Sequence, residues 1–479
     1  MSPRSYARRY AALSALRWFP VGLIVPVLIL LMQARGLDLA QAGWLMAVYG
    51  LVVIVLELPT GGLADTIGRR PVLAASSVLS ALGSVVLATA ASPGPMLVAV
   101  LLLGTGRSLA SGPLEAWYVD AVRRHDRDAE ITTGIARAQA VEAVALGVGA
   151  LVGGLLPGLV APAWAGGAMA DSPVIPLSVP FLASAAMLLV HAVAVVVLVV
   201  EPSRSAAQHP GAGRDEDPAA APTAGRGSAG RRATVMGTVV QGMRTALGTA
   251  DLRRLIGYGA ILGVAMGGVE LISPVAFSAL LGGPERAGAA YGLLVSLGFA
   301  AAALGAAVAP RVAGRFATDR AAATWIGLAA APLMLLIAAP VLGAAGGAFL
   351  ALYLVLGVNG PVLAGLLHDR VDSGHRSTVL SVESLVMQVG GVTASLLVGG
   401  LVATTSTGLG YLVMAVALAV GALLLRGITP RCASGTPEVH SSEQVGDRAP
   451  GELDLSDAPP GQGLGVPGSG EATWLGTRR

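Results

Sequence analysis

Long uncharged apolar runs alternate with short polar breaks along most of the 479-residue chain. Each run has about 20 residues, the length at which an α-helix crosses the hydrocarbon core of a bilayer. Spans are predicted near 18–34, 41–61, 72–93, 96–119, 138–160 and 177–200, and again near 255–278, 288–310, 322–341, 343–366, 378–402 and 408–426. Between the sixth and the seventh, residues 201–233 lose apolar periodicity and fill with Pro, Gly, Ala, Ser and charge, as a flexible linker does. From Val235 to Arg254 the pattern turns weakly amphipathic, which suits a helix lying on a membrane surface. From about Arg431 the chain is polar and rich in Gly and Pro, and reads as a disordered cytoplasmic tail. The expected domains are a six-helix bundle over 1–200, a linker over 201–254, a second six-helix bundle over 255–427 and a tail over 428–479. The expected fold class is an all-α membrane protein, its twelve transmembrane helices forming two pseudo-symmetric halves around a central path.

Charge orients this pattern. With the N-terminus inside, the inside loops hold Asp65, Arg69 and Arg70, then Arg123 to Arg137, the linker, Arg311, Arg315 and Arg320, and finally Arg370 and Arg376. The outside loops hold no arginine besides Arg35 and Arg286. Arginine beside a span favours the cytoplasmic side, so both termini are expected in the cytoplasm and the protein in the cell membrane. Arg4, Arg8, Arg9 and Arg17 precede the apolar stretch Trp18–Met32, as in a signal peptide. More spans follow at once, so the first span is expected to be retained.

Composition agrees. The chain is 54% hydrophobic and only 12% charged, against about 25% charged for soluble proteins, and its mean hydropathy is +0.72. The net charge of +3 does not point to nucleic acid, because the positive residues sit in short blocks between apolar runs. The single Cys432 excludes an internal disulfide and a cysteine zinc site. There is no HExxH and no GxxxxGK[ST]. An enzyme, a metal, a cofactor and transport driven by ATP on this chain are therefore not expected. The driving force is expected to be an ion gradient or simple exchange.

Ionisable groups inside spans are costly unless they face protein or water, so each is a site candidate. Arg107 lies near the middle of the fourth span and can hold an anionic or polar group of a substrate or pair with a carboxylate. Glu115 sits two turns further and is expected on roughly the same face, with Asp120 at the interface, in reach of Arg69 or Arg70. Glu57 ends the second span and Glu142 begins the fifth; each reads as a proton-titrated gate or as a salt bridge at the cytoplasmic end. Glu270 lies well inside the seventh span beside Gly267 and Gly268. Its protonation would remove a desolvation cost and shift the protein between two states, unless it is a buried acid without transport duty. Glu383 with Gln388 forms a second pair, Asn359 can bond to substrate or across helices, and His191 reads as a packing histidine.

Between the second and third spans stands Gly61-Gly62-Leu63-Ala64-Asp65-Thr66-Ile67-Gly68-Arg69-Arg70, expected to be a tight loop. Gly61, Asp65, Gly68, Arg69 and Arg70 resemble the signature loop of the major facilitator superfamily. Arg107 resembles that family's mid-span arginine, which is linked to proton coupling in exporters. Ser111-Gly112, Glu115-Ala116-Trp117 and Arg376-Ser377-Thr378 look like a bacterial drug-resistance-like subgroup of it. The resemblance covers about residues 10–427 without the linker. It implies a latch of Gly61, Asp65, Gly68, Arg69, Arg70 and Asp120, with Asp65 capping a helix start. It further implies a coupling or substrate path through Arg107, Glu115, Glu142, Glu270, Asn359 and Glu383. The Gly-Pro pair of the family's antiporters has no counterpart in the fifth span, which reads Gly147-Val148-Gly149 to Gly153-Gly154. The function implied is secondary transport of a small organic molecule by alternating access, with proton-coupled efflux ahead of uptake or of a non-transporting sensor or scaffold. The partners implied are the substrate, protons and membrane lipids, with the protein a monomer.

Overall fold

The computed structural model describes residues 3–125, 129–165, 172–201, 248–371 and 376–429. The linker from 202 to 247, with most of the expected surface helix, and the tail from 430 lie outside the described residues. All regular structure among the described residues is helical. The first half comprises α1 (Pro3–Ile24), α2 (Leu28–Ala34), α3 (Leu39–Ile67), α4 (Arg69–Thr89), α5 (Pro93–Ala110), α6 (Pro113–Arg123), α7 (Thr132–Ala165) and α8 (Val179–Leu198). The second comprises α9 (Ala250–Leu281), α10 (Pro284–Ala313), α11 (Asp319–Leu336), α12 (Leu342–His368), α13 (Arg376–Thr404) and α14 (Thr407–Leu424).

Eleven spans are long and apolar enough to cross a membrane, α1–α2 and α5–α6 each counting as one. The twelfth is α11, whose 18 residues open on Asp319 and Arg320 and so carry less apolar sequence. It packs against α12 and α14 like a span. Short polar residues start several helices by satisfying end N–H groups. Asp38 accepts from the Gln41 amide at 2.8 Å while the Gln41 side chain accepts from the Asp38 amide at 3.1 Å. Thr249, Thr318 and Ser406 cap α9, α11 and α14 in the same way. Exposed Leu51, Val55, Val193, Val197 and Leu397 place aliphatic side chains on the outer surface, where lipid rather than water is the solvent.

The two halves repeat one packing plan. In the first, α1 packs on α7 and α8, α4 on α5 and α8, and α3 on α5; in the second, α9 packs on α13 and α14, α11 on α12 and α14, and α10 on α12. Two seams join the halves, α3 against α13 and α7 against α10. At the arginine-poor end one apolar core spans both halves, joining Val27, Leu30, Leu31 and Met32 to Leu271 and Ala287. At the arginine-rich end the cores are separate: Tyr10, Leu73, Trp117 and Val195 pack within the first half, and Leu252, Tyr258, Leu366 and Leu425 within the second. The halves are thus closed at the arginine-poor end and share no core at the other.

The expected loop at Gly61–Arg70 is mostly helix. α3 continues through Gly61, Gly62 and Asp65 to Ile67, and α4 starts at Arg69. A helix interior tolerates glycine at about 1 kcal/mol each, and no proline interrupts the stretch. Only Gly68, with φ +105°, breaks the helical path. Asp65 therefore sits in the last turn of α3 and does not cap a helix start; the side chains of 58–62 and 65 lie outside the described residues.

A clasp closes the arginine-rich end of the second half. Asp251, at the start of α9, accepts from Arg370 Nε at 3.3 Å, from the Thr429 amide at 3.1 Å and from the Thr429 hydroxyl, and meets Arg254 at 3.4 Å. Arg320, at the start of α11, donates to the Ile428 carbonyl at 2.8 Å. The chain leaving α14 is thereby tied to three other helices. Asp251 is 13% exposed, so these charge-assisted bonds are only partly screened. Asp251→Ala is expected to lower stability by roughly 2–3 kcal/mol, read as a lower unfolding temperature of the detergent-purified protein.

Candidate substrate and coupling site

At the arginine-rich end of the first half, Arg69 meets Asp120 at 2.6 Å. Asp120 is 55% exposed, so the pair contributes about 0–1 kcal/mol, and what it chiefly does is hold α4 beside α6. The start of α4 is capped from elsewhere. Glu201, just beyond α8, accepts from the Arg69 amide at 2.5 Å and the Arg70 amide at 3.1 Å. A carboxylate at a helix N-terminus also opposes the positive end of the helix dipole. Sequence reasoning placed Glu201 in the linker; its only signal was an acid directly after a long apolar run. A Cβ on residue 68 would lie 2.7 Å from Glu201 Oε2. Gly68→Ala therefore combines a left-handed backbone with a clash against the cap. The backbone alone costs about 1–3 kcal/mol. The variant is expected to unfold at lower temperature and transport more slowly, whereas Arg70→Gln, which leaves the backbone amides in place, keeps the wild-type unfolding temperature.

Deeper in the first half, Arg107 of α5 lies over the Trp18 ring of α1, 4.8 Å from its centroid. The expected common face of Arg107 and Glu115 does not hold as one helix, because the chain breaks at Ser111 and Gly112 (φ +86°) and restarts as α6. Glu115 faces Tyr10, two turns of α1 away from Trp18. Glu142 is ten residues inside α7 rather than at its beginning. It is turned toward Ser14 and Trp18 of α1, within electrostatic reach of Arg107 and Glu115. Its expected salt bridge at the helix end is absent among the described residues, whose ion pairs are Arg69–Asp120, Arg254–Asp251 and Arg370–Asp251. Glu57 accepts from Ser111 at 3.2 Å and from Gln388 of α13 at 3.1 Å, so it bridges the two halves. His191 is fully buried, its Nδ1 2.7 Å from Ser77 Oγ.

In the second half Glu270 lies about 30 Å along α9 from its start. It is exposed, while its chain neighbours Val269, Leu271 and Ile272 are buried in apolar core. Buried Tyr291 of α10 and Tyr353 of α12 lie within its electrostatic reach. A charged carboxyl at that depth is costly against lipid, which makes Glu270 a candidate lining residue of a path through the bundle. Asn359 is 1% exposed and donates to Tyr258 Oη at 2.8 Å, which makes it a helix-to-helix bond. Glu383 is half-buried against α9 at Gly259. It is not paired with Gln388, which reaches Glu57 instead: five residues apart on a helix, the two side chains diverge.

The arrangement defines a class before it defines a family: a helical membrane protein of two repeated halves, closed at one end, with charged side chains inside its spans. The family model of the Major Facilitator Superfamily matches residues 10–360, and the chain belongs to that superfamily. The superfamily and the long apolar helices together make it a multi-pass membrane protein. Among curated proteins it is similar to the uncharacterized MFS-type transporter YxaM of Bacillus subtilis (strain 168), 29% identical over 108 residues, 22% of this chain and 27% of that protein. It is also similar to the inner membrane transport protein YajR of Escherichia coli (strain K12), 31% identical over 114 residues, 24% of this chain and 25% of that protein. The chain thus matches about a quarter of the length of these relatives. Among solved structures it resembles the nucleoside transporter NupG, with a TM-score of 0.67 at 13% identity, covering 88% of this chain and 98% of that one. It also resembles a bacterial homolog of the human lysosomal transporter Spinster, with a TM-score of 0.63 at 15% identity, covering 88% and 95%. At these identities the structures speak for the fold alone.

Proposed function

We propose that this transporter is a proton-coupled exporter of a small organic molecule in the cell membrane, of the drug-resistance-like kind, acting as a monomer with both termini in the cytoplasm. The observation that carries the reading is Glu270: an exposed carboxyl deep in an otherwise apolar span. Protonated, it crosses a closed, water-poor state at little cost; ionised, it favours the open state in which water reaches it. That differential is what a proton needs to bias an alternating-access equilibrium. The arginine-rich end, where the two halves share no core, is the cytoplasmic end in this reading, so the conformation is inward-facing and ready to load substrate from the cell. Arg69, Arg70, Asp120 and the Gly68 turn act as a latch that steadies the cytoplasmic helix ends when the halves rock, with Gly61 and Asp65 in the last turns of α3. Arg107, Glu115, Glu142, Glu270, Asn359 and Glu383 line or support the path.

The test uses inverted membrane vesicles with an acidified interior and a panel of antibiotics, dyes and metabolites. An exporter collapses the proton gradient when its substrate is added outside, and accumulates that substrate in the lumen until a protonophore is added. Substrate accumulation driven in the opposite vesicle orientation would assign uptake instead, and flux indifferent to the protonophore would remove proton coupling.

A further inference from the structure

Arg17 belongs to α1 and is only 9% exposed. As a sequence feature it belonged to a basic N-terminal cluster; in the fold it lies inside the bundle, next to Trp18, over which Arg107 stacks. The ionisable groups around it come from three other helices: Arg107 of α5, Tyr49 of α3 and His191 of α8. None of these is an acid. An acid of the first half, Glu142, is within electrostatic reach of Arg107 and turned toward Ser14 and Trp18. Among the described residues neither Arg17 nor Arg107 enters an ion pair. Two guanidinium groups near each other in a low-dielectric interior repel, and an interior cation without a partner carries a large desolvation cost. Such a pair is stable over a transport cycle if an anion occupies it for part of that cycle. Arg107 is half-buried, which leaves a face through which a ligand can arrive. The planar fork of guanidinium matches carboxylate, sulfonate and phosphate oxygens in pairs.

We propose that Arg17 and Arg107 form a subsite for the acidic group of an organic anion, and that the transported molecule is such an anion. This rests on the transporter reading and names the substrate class of the same path. Glu142 supplies the competing negative charge: it neutralises part of Arg107 when the subsite is empty and is repelled when an anion arrives.

The experiment is ligand-dependent thermal unfolding of the full-length protein in detergent, at constant chloride and ionic strength. The probes are benzoate, benzenesulfonate and phenyl phosphate, with benzyl alcohol and benzylamine as neutral and cationic controls. The expected result is a saturable rise in unfolding temperature with at least one acidic probe and none with the controls. In Arg17→Gln and in Arg107→Gln the half-saturating concentration rises roughly tenfold or more. Arg17→Gln without probe unfolds no lower than wild type, because a repulsion has been removed; if that variant does not fold, Arg107→Gln and Arg17→Lys carry the comparison. An unchanged probe response in the arginine variants, or no wild-type response to any acidic probe, overturns the proposal. No gradient is involved, so a failure here leaves proton-coupled export standing, and a protein that binds the probes without any gradient-driven flux overturns export and leaves the subsite.

Discussion

Gly154→Leu is expected to abolish transport while the protein still inserts in the membrane. Gly154 of α7 faces α10 across the seam between the halves, and a Cβ there would lie 2.4 Å from the Gly288 carbonyl and 2.6 Å from Gly292 Cα. The contact is reciprocal: a Cβ on Gly292 would lie 2.7 Å from Gly154 Cα. The two backbones therefore touch, which is how membrane helices gain packing without a hydrophobic drive between them. A leucine cannot be absorbed by a rotamer change, because what it meets is main chain. The helices must separate, and overpacking of this kind costs about 1–3 kcal/mol or more. In alternating access the seam must also slide, so the barrier between states rises together with the strain. Gly158→Leu is the control on the same helix, since nothing lies within 4 Å of a Cβ there. Vesicle flux at matched membrane abundance checks the pair; equal rates in the two variants would show that the seam does not govern transport.

Glu270→Gln is the second large effect. Glutamine has the shape of the protonated acid and no charge, so it reproduces one of the two states that a proton would switch. Gradient-driven transport is expected to fall roughly tenfold or more, the consequence of about 1.4 kcal/mol on the limiting barrier. Exchange of labelled for unlabelled substrate, which needs no net proton movement, is expected to persist. Glu270→Asp keeps the charge and shifts its position by one methylene, and should retain part of the gradient response. Proteoliposomes assayed with and without an imposed pH difference read both quantities. A Gln variant with a full gradient response would move the coupling role to another acid, with Glu142 the nearest alternative because it too lies inside a span.

Different physics set what could be read early. Span positions were legible because lipid demands about 20 consecutive apolar residues and tolerates few exceptions. The expected span at 288–310 lies within the helix Pro284–Ala313, and the expected span at 177–200 differs from Val179–Leu198 by two residues at each end. Asp120 was expected in reach of Arg69 or Arg70 because all three lie at span ends, where topology alone brings them to one level; of the two arginines, Arg69 makes the ion pair. Helix ends and interior pairings were not legible in that way. The turn at Gly68 looked like a ten-residue loop, since a glycine pair and a charge signal a break in composition whether or not the backbone bends. Arg107 and Glu115 looked like neighbours on one face because periodicity assumes an unbroken helix, which Gly112 interrupts. Arg17 looked like a flanking charge, since nothing local marks an arginine as interior.

The amino-acid sequence by itself determined where the long apolar helices lie, because burying backbone in hydrocarbon is a local requirement that each segment meets within itself. Tertiary structure alone decided that Glu201 caps α4, that Gln388 reaches Glu57 across the halves, and that buried Arg17 lies within electrostatic reach of Arg107. Those contacts join residues 331 positions apart in the Gln388–Glu57 case, and their partners are chosen by how helices pack and rotate, which no stretch of sequence encodes alone.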